Sequence, residues 1–481
     1  MRYKECSLLI FITLASCKSS AFIDPYSLSP TSYEIVWESE KTEANKLSSM
    51  EILRDFILPD QKLDSSLGDL FDIALHNNPS TKSSWSKARA AAAEYGENLS
   101  SYIPSLVFDG EFNANREGFV FNLPNQATTF LMNNQIQYGP ILSLSYLLFD
   151  GGERKAKASK YFWALQTSNF LHNENLQSIM KQVAENYYTY LASKAQYEAD
   201  LEDLKNAELT YKAASDKFSA GIYSITDMLQ AKTNYLQKKV NLTDGKNLRD
   251  NSLVALNTTL SIPANSAIAL KSFPKQILPS PFKEDPEELI KLGLSLRGEF
   301  LAAKANYLSC EQDLKMAETA MLPQLNITAQ GGEYWYQEGF QDTGNYNILL
   351  DLSIPIFDGF FYKNQVKNKK SLLAKAKADM FSTELSIIEE IQTALNNLNA
   401  AKQKIEDTKS YLDAAVIEND AMLKKYKRGV VTILDLLSAQ AFLADAKAGY
   451  ITAQKEYYTS IIYLSFSTGL LSTQKMELGY E

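Results

Sequence analysis

Catalysis needs nucleophiles, acids, bases or metal ligands at workable spacing, and this 481-residue chain supplies few of them. Its two histidines, His76 and His172, fall in unrelated helical stretches, and neither sits in a metal-ligand pattern. Both read as solvated or packed helix residues. Gly151-Gly152 and Gly331-Gly332 lack the strand-to-helix spacing and the lysine that a phosphate-binding loop requires. The Asp and Glu residues are spread along helical faces, as a solvated surface would place them. Of the three cysteines, Cys310 lies in an Ala-rich helical stretch and reads as a small packed residue. No enzyme chemistry follows, and nothing calls for a metal or a bound cofactor.

The one chemical modification the residues suggest is at Cys17. Arg2 and Lys4 precede an apolar stretch from Leu8 to Ala15, too short to cross a bilayer, which reads as a secretory signal over residues 1–16. It ends in Leu14-Ala15-Ser16-Cys17, resembling the bacterial lipobox, in which the cysteine is diacylated and becomes the new N-terminus. Lys18 follows, not the aspartate associated with inner-membrane retention. An ordinary signal peptide cleaved nearby is the alternative. With Cys6 discarded and Cys17 under lipid, no intramolecular disulfide is expected. Removal of the leader takes away two positive charges and one negative, moving the formal charge from −9 to −10. Such an acidic chain is a poor nucleic-acid binder. Beyond the signal no run of about 18 apolar residues exists, so membrane insertion would have to use strands.

The elements that follow are organised by an internal duplication. Phe149-Asp150-Gly151 recurs as Phe357-Asp358-Gly359, and Lys217-Phe218-Ser219-Ala220-Gly221 as Lys425-Tyr426-Lys427-Arg428-Gly429, each 208 residues later. Asp227 and Asp435 keep that offset, as do Ala231 and Ala439. Ile103-Pro104-Ser105-Leu106 matches Leu322-Pro323-Gln324-Leu325 at an offset of 219, so the first copy carries eleven extra residues between Pro104 and Phe149, where a longer loop is expected. Copies of this length are duplicated supersecondary units, not solenoid repeats. The expected organisation is an arm over 17–66, a first repeat over 67–265, a linker over 266–284, a second repeat over 285–471 and a tail over 472–481.

Around each Pro-x-Leu and before each Phe-Asp-Gly the hydrophobic period becomes two. Leu106, Phe108, Phe112 and Ala114 alternate with Val107, Asp109, Glu111 and Asn113; Ile136, Tyr138, Leu142, Leu144, Tyr146 and Leu148 share a face opposite Gln137, Ser143 and Ser145. In the second copy Leu325, Ile327 and Ala329 alternate with Asn326, Thr328 and Gln330, and Tyr346, Ile348, Leu350, Leu352 and Ile354 with Asn347, Asp351 and Ser353. Tyr334, Trp335 and Tyr336 lie where an interfacial aromatic girdle would. Segments of about ten residues with this pattern fit hairpins over 105–149 and 324–357 of a transmembrane barrel, apolar toward lipid and polar toward a wet lumen. A soluble sandwich would bury the same face. Four strands cannot close a barrel, for which about eight is the practical minimum, so closure demands other copies.

Between the strands lie proline-free stretches rich in Ala, Lys, Glu, Gln and Leu. The long ones, 153–218 and 361–426, would each span about 100 Å, far more than a bilayer, and are too charged to sit in lipid. Shorter helices, over about 67–101 and 225–260 in the first copy and 286–321 and 433–468 in the second, can stack end to end beside them. Gly221 and Gly429 read as C-cap residues, so the turns 221–226 and 429–432 form the tip farthest from the strands. Thr226 and Thr432, or residues beside them, can cap the returning helices.

From Leu67 to Leu471 these residues resemble the TolC-like outer-membrane efflux protein family. The resemblance is carried by Leu67-Gly68-Asp69-Leu70 with Asn78-Pro79, the two Pro-x-Leu openings, the two Phe-Asp-Gly exits, and the run from Gly429 through Gln440. The lipobox resembles its lipoprotein branch. The family implies an α+β membrane protein: a homotrimer with a twelve-stranded barrel in outer-membrane lipid on a long α-helical periplasmic tunnel. It implies docking to a periplasmic adaptor and an inner-membrane transporter, in a Gram-negative-type envelope. Small-molecule efflux is the expected role, with a type I protein-secretion duct or an envelope-bridging structural lipoprotein as alternatives. By resemblance, Asp227 and Tyr426 restrain the entrance by hydrogen bonding, Asp435 narrows it electrostatically, and the turns at Gly221, Gly429, Val430 and Thr432 meet the adaptor. First-turn acids favoured by the helix dipole are the plainer reading of Asp227 and Asp435. Val431 and Ser438 stand where some members carry an arginine and a second ring aspartate, and Leu147 replaces the proline matched by Pro355.

Overall fold

A computed structural model describes residues 66–121, 129–222, 224–270, 272–273, 285–336 and 343–471. The expected leader, Cys17, the arm up to residue 65, most of the linker and the tail lie outside these residues. The chain runs α1 (Leu67–Asn77), α2 (Pro79–Leu99), a 3-10 turn (Ser100–Tyr102), β1 (Ser105–Phe121), β2 (Thr129–Phe149), α3 (Glu153–Ser219) and α4 (Ile225–Thr259). It repeats as α5 (Pro286–Leu296), α6 (Gly298–Thr319), β3 (Gln324–Tyr336), β4 (Thr343–Ser353), α7 (Phe361–Lys427) and α8 (Ile433–Ser467). Each long helix has 67 residues and each returning helix 35.

Three expectations need correcting. The helices expected over 67–101 and 286–321 are each broken in two. Pro79 offers no N–H and forces Asn78 out of the helical region to φ −68°, ψ 124°, and Arg297 adopts the same conformation at φ −65°, ψ 120°. The eleven extra residues lengthen strands more than a loop: β1 and β2 have 17 and 21 residues against 13 and 11 in β3 and β4. Ser224, not Thr226, caps α4; Thr226 already lies in the first turn.

The strands form one antiparallel sheet in the order β1-β2-β3-β4, with β1 and β4 at its edges. The register puts like with like. Phe108 faces Leu142, Leu142 faces Gly331, and Gly331 faces Tyr346; on the other face Val107 meets Ser143, Ser143 meets Gln330, and Gln330 meets Asn347. Because side chains alternate with period two, one face is mainly apolar and the other mainly polar. The apolar face is bare: Phe108, Phe112, Tyr346 and Leu350 are 72, 71, 87 and 60% exposed. Of the expected girdle, Trp335 shares that face and packs on Tyr138 at 5.7 Å, whereas Tyr334 lies on the polar face and donates to Glu111 Oε2 at 3.1 Å.

At mid-length the helices close a core. Val183 and Tyr188 of α3 pack there with Ile391 and Leu398 of α7, Tyr458 and Ile462 of α8, and Leu70 and Phe71 of α1. The rings of Tyr188 and Tyr458 stack at 5.2 Å, with Phe273 against both. Burial of this apolar surface holds α3, α7 and α8 together at mid-length.

Candidate functional site

Two regions could act on a passing solute or partner: the sheet and the double tip at the opposite end of the long helices. At the tip each long helix ends in a glycine at positive φ, Gly221 at 72° and Gly429 at 73°, a conformation costly for any side chain. Ile222 N donates to Lys217 O and Val430 N to Lys425 O, so both turns are the same helix-ending motif. Each returning helix then starts with a capping box. Ser224 Oγ accepts from Asp227 N while Asp227 accepts from Ser224 N at 3.1 Å; Thr432 Oγ1 and Asp435 do the same, with Thr432 N at 2.9 Å. Asp227 and Asp435 are thus first-turn capping acids in this chain. Hydrogen bonds from the Thr432 hydroxyl and amide hold the Asp435 carboxyl below its usual range.

Tyr426 is 3% exposed and packs with Ala214, Ala231, Ile433 and Leu436, so all four helices of the lower half meet at one place. The Lys217 ammonium lies 4.8 Å from its ring centre. Val431 packs partly buried against the same cluster. Gly221, Gly429, Val430 and Thr432 are exposed, and Val430 is 70% exposed. The tip glycines, Val430 and Thr432 therefore form an accessible rim, with Tyr426 beneath it.

Residues to which the sequence assigned no role govern the junctions. Asp150, 5% exposed, accepts from Gly152 N and from Arg154 N and Nε at 3.1, 2.7 and 3.0 Å, anchoring the start of α3. Arg154 also reaches Ser101 O and Leu148 O, both at 3.3 Å, tying the 3-10 turn, the end of β2 and α3 together. Leu147 leaves β2 free to continue to Phe149 through a register shift, while β4 stops at Ser353, short of Pro355. Arg297, 1% exposed, pairs with Glu390 at 2.9 Å, Glu299 at 3.2 Å and Glu174 at 3.4 Å. Burial pushes the Glu174 carboxyl up, against the pull of Arg297. Arg297 lies at the place of Asn78 in the other copy, the one signal that could have marked it. Among the described residues no group of three or more His, Cys, Asp or Glu is disposed to hold a metal ion.

A one-sided four-stranded sheet joined to two duplicated sets of helices of about 100 Å defines an envelope-channel class of fold. The chain belongs to the outer membrane efflux protein family, whose pattern matches residues 70–261 and 289–470. It is 26% identical to outer membrane protein TolC of Escherichia coli over 277 residues, spanning 54% of this chain and about half, 55%, of that relative. It is 21% identical to protein CyaE of Bordetella pertussis, covering 87% of each chain. A membrane protein from Pseudomonas aeruginosa has the same fold, with a TM-score of 0.76 at 19% identity, covering 85% of this chain and 91% of that one.

Proposed function

We propose that three copies associate into a passive exit duct in the outer membrane, through which solutes expelled by an inner-membrane transporter leave by way of a periplasmic adaptor. The observation that carries this reading is the sheet. Among the described residues nothing covers its apolar face or pairs with either of its edges. In water that face would be buried, and in lipid the open edges would leave backbone groups unpaired. Pairing β1 of one copy with β4 of the next removes both problems, and three copies of four strands supply twelve.

The helices carry the same polarity. α3 packs on α2 and α4 to one side and on α6 and α8 to the other, and α7 packs on α6 and α8. One flank is therefore α2 with α4 below it, and the opposite flank is α7. The rotation that joins β1 to β4 sets these flanks together, and both are rich in exposed apolar residues: Leu236, Val240 and Leu248 on α4, Phe381, Leu385 and Ile417 on α7. One symmetry operation satisfies strands and helices together.

The polar face then lines the lumen, and the tips surround the inner entrance. On this reading Asp227, Tyr426 and Asp435 restrain or narrow that entrance, and the rim at Gly221, Gly429, Val430 and Thr432 receives the adaptor. Diacylation of Cys17 would add a lipid anchor, on the strength of the lipobox alone. A protein that merely bridged envelope layers would have no use for the sheet. The test is single-channel recording in planar bilayers: discrete, stable conductance steps are expected, and a purified oligomer that forms no pore contradicts the duct.

A further inference from the structure

Above the tips, α3, α4, α7 and α8 leave a cavity of about 190 Å³ between them. Its inner wall is apolar, made by Leu423, Leu436, Leu443 and the Tyr426 ring, and the last three are buried. It opens to solvent past Leu209, Ala213 and Lys427, which are exposed. An apolar cavity of about 150 Å³ holds benzene, so there is room here for a small ring system. Most polar groups of the wall are engaged with their neighbours. Asp203 accepts from Lys238 Nζ at 3.4 Å and from Lys447 Nζ at 3.3 Å. Thr210 Oγ1 accepts from Gln440 Nε2 at 3.2 Å and donates to Asn206 O at 2.9 Å. Asn419 is different: its Oδ1 is shut off from solvent and accepts no hydrogen bond among the described residues. A buried acceptor without a donor is costly, and native structures seldom leave one.

We propose that this cavity binds a small, neutral aromatic molecule of about the size of indole that carries one N–H or O–H donor. The ring packs against Leu423, Leu436, Leu443 and Tyr426, and the donor meets Asn419 Oδ1. An apolar wall with one convergent polar group is the usual make-up of such a site. The charge of Asp203 is already met by two ammonium groups, and Lys427 at the mouth is too exposed to draw an ion strongly. Assembly leaves the site accessible. Asn419 is two places from Ile417, and Lys238 lies between Leu236 and Val240, so the cavity is on the sides of α7 and α4 turned away from their apolar flanks. Since four helices supply the walls, an occupant ties them to one another. The site lies within one chain and does not depend on the reading as a duct.

The test titrates indole into the full-length, detergent-extracted protein, with benzofuran, which has the same two fused rings and no N–H, in parallel. Calorimetry reads affinity and thermal unfolding reads added stability. Indole is expected to bind saturably, about fivefold tighter than benzofuran, as one hydrogen bond provides, and to raise Tm with its concentration. Ala213→Phe, which fills the open side, is expected to weaken both molecules about tenfold or more. Asn419→Leu is expected to remove the preference for indole and leave benzofuran bound. Ala213 is exposed and Asn419 only partly buried, so both variants keep the fold. Uptake that does not saturate, or is equal in the parent and Ala213→Phe, overturns the site and assigns the molecules to the detergent. Equal affinity of the parent for indole and benzofuran overturns the donor contact. Tighter binding of benzoate than of indole overturns the neutral class, since Lys427 would then be the recognising group. Conductance of the same samples is a separate readout, and a parent that conducts without binding indole defeats the site and leaves the duct standing.

Discussion

In the first half of the chain the break between the two short upper helices is made by Asn78 ahead of Pro79; in the second half Arg297 stands at the corresponding place and no proline follows. The backbone angles are nearly the same, φ −68° and −65°. The first break is a local instruction, because proline restricts its predecessor whatever surrounds it. The second is held by tertiary contacts: a buried guanidinium between Glu390 on α7 and Glu174 on α3, resting on the Phe466 ring at 4.5 Å. A duplicated fold can thus keep a feature while moving its cause from neighbours in sequence to neighbours in space.

The largest expected effect is at the join between the halves, where β2 meets β3. A Cβ on Gly139 would lie 1.8 Å from Glu333 O, a backbone atom that can yield only by parting the strands. Gly139→Val is expected to abolish the assembled oligomer, seen as loss of the high-mass band in unboiled gels, while Gly110→Val in the β1–β2 hairpin, where nothing lies within 4 Å, leaves it intact. Equal tolerance at both positions would contradict the observed register.

Next come the two breaks. Arg297→Met strands partly solvated carboxylates and is expected to cost about 3 kcal/mol, the low end for breaking a buried pair. Asn78→Ala removes the cap on Ser80 N and is expected to cost about 1 kcal/mol. Denaturant midpoints compare them, and equal costs would show that Arg297 is no more than a helix cap.

The smallest effect is in pH dependence. Burial pushes the Asp313 carboxyl up, but hydrogen bonds from Lys160 and Lys369 outweigh it and hold it below its ordinary value. A depressed carboxylate contributes stability above its unfolded-state pKa and loses it as pH falls through the folded value. The stability difference between the parent and Asp313→Asn should therefore be full near neutrality and shrink below about pH 4. Glu94 holds the corresponding place in the first half and is exposed. Glu94→Gln should leave the acid midpoint unmoved, and a shift there would erase the contrast.

What could be read from the residues follows the same division between local and distant causes. The long helices, the glycine turns and the capping acids are set by residues a few positions apart, so pattern and spacing disclose them. Alternation disclosed the strands, and the register bears out which face is apolar, because a sheet cannot mix faces without a slip. The break at Arg297 was hidden because its partners Glu174 and Glu390 lie 123 and 93 residues away. The Asp150–Arg154 clamp was hidden for another reason: Phe-Asp-Gly was visible as a repeat, but its aspartate's task depends on Arg154, which the second copy replaces with Tyr362. Tyr334 was misplaced in the girdle because adjacent aromatics point to opposite faces.

The central claim is closure by three copies, and the mass of the intact complex extracted in detergent tests it most directly. Three chains per complex, falling to one on boiling, is the predicted result. A single chain, or a pair whose eight strands already conduct, would contradict the account.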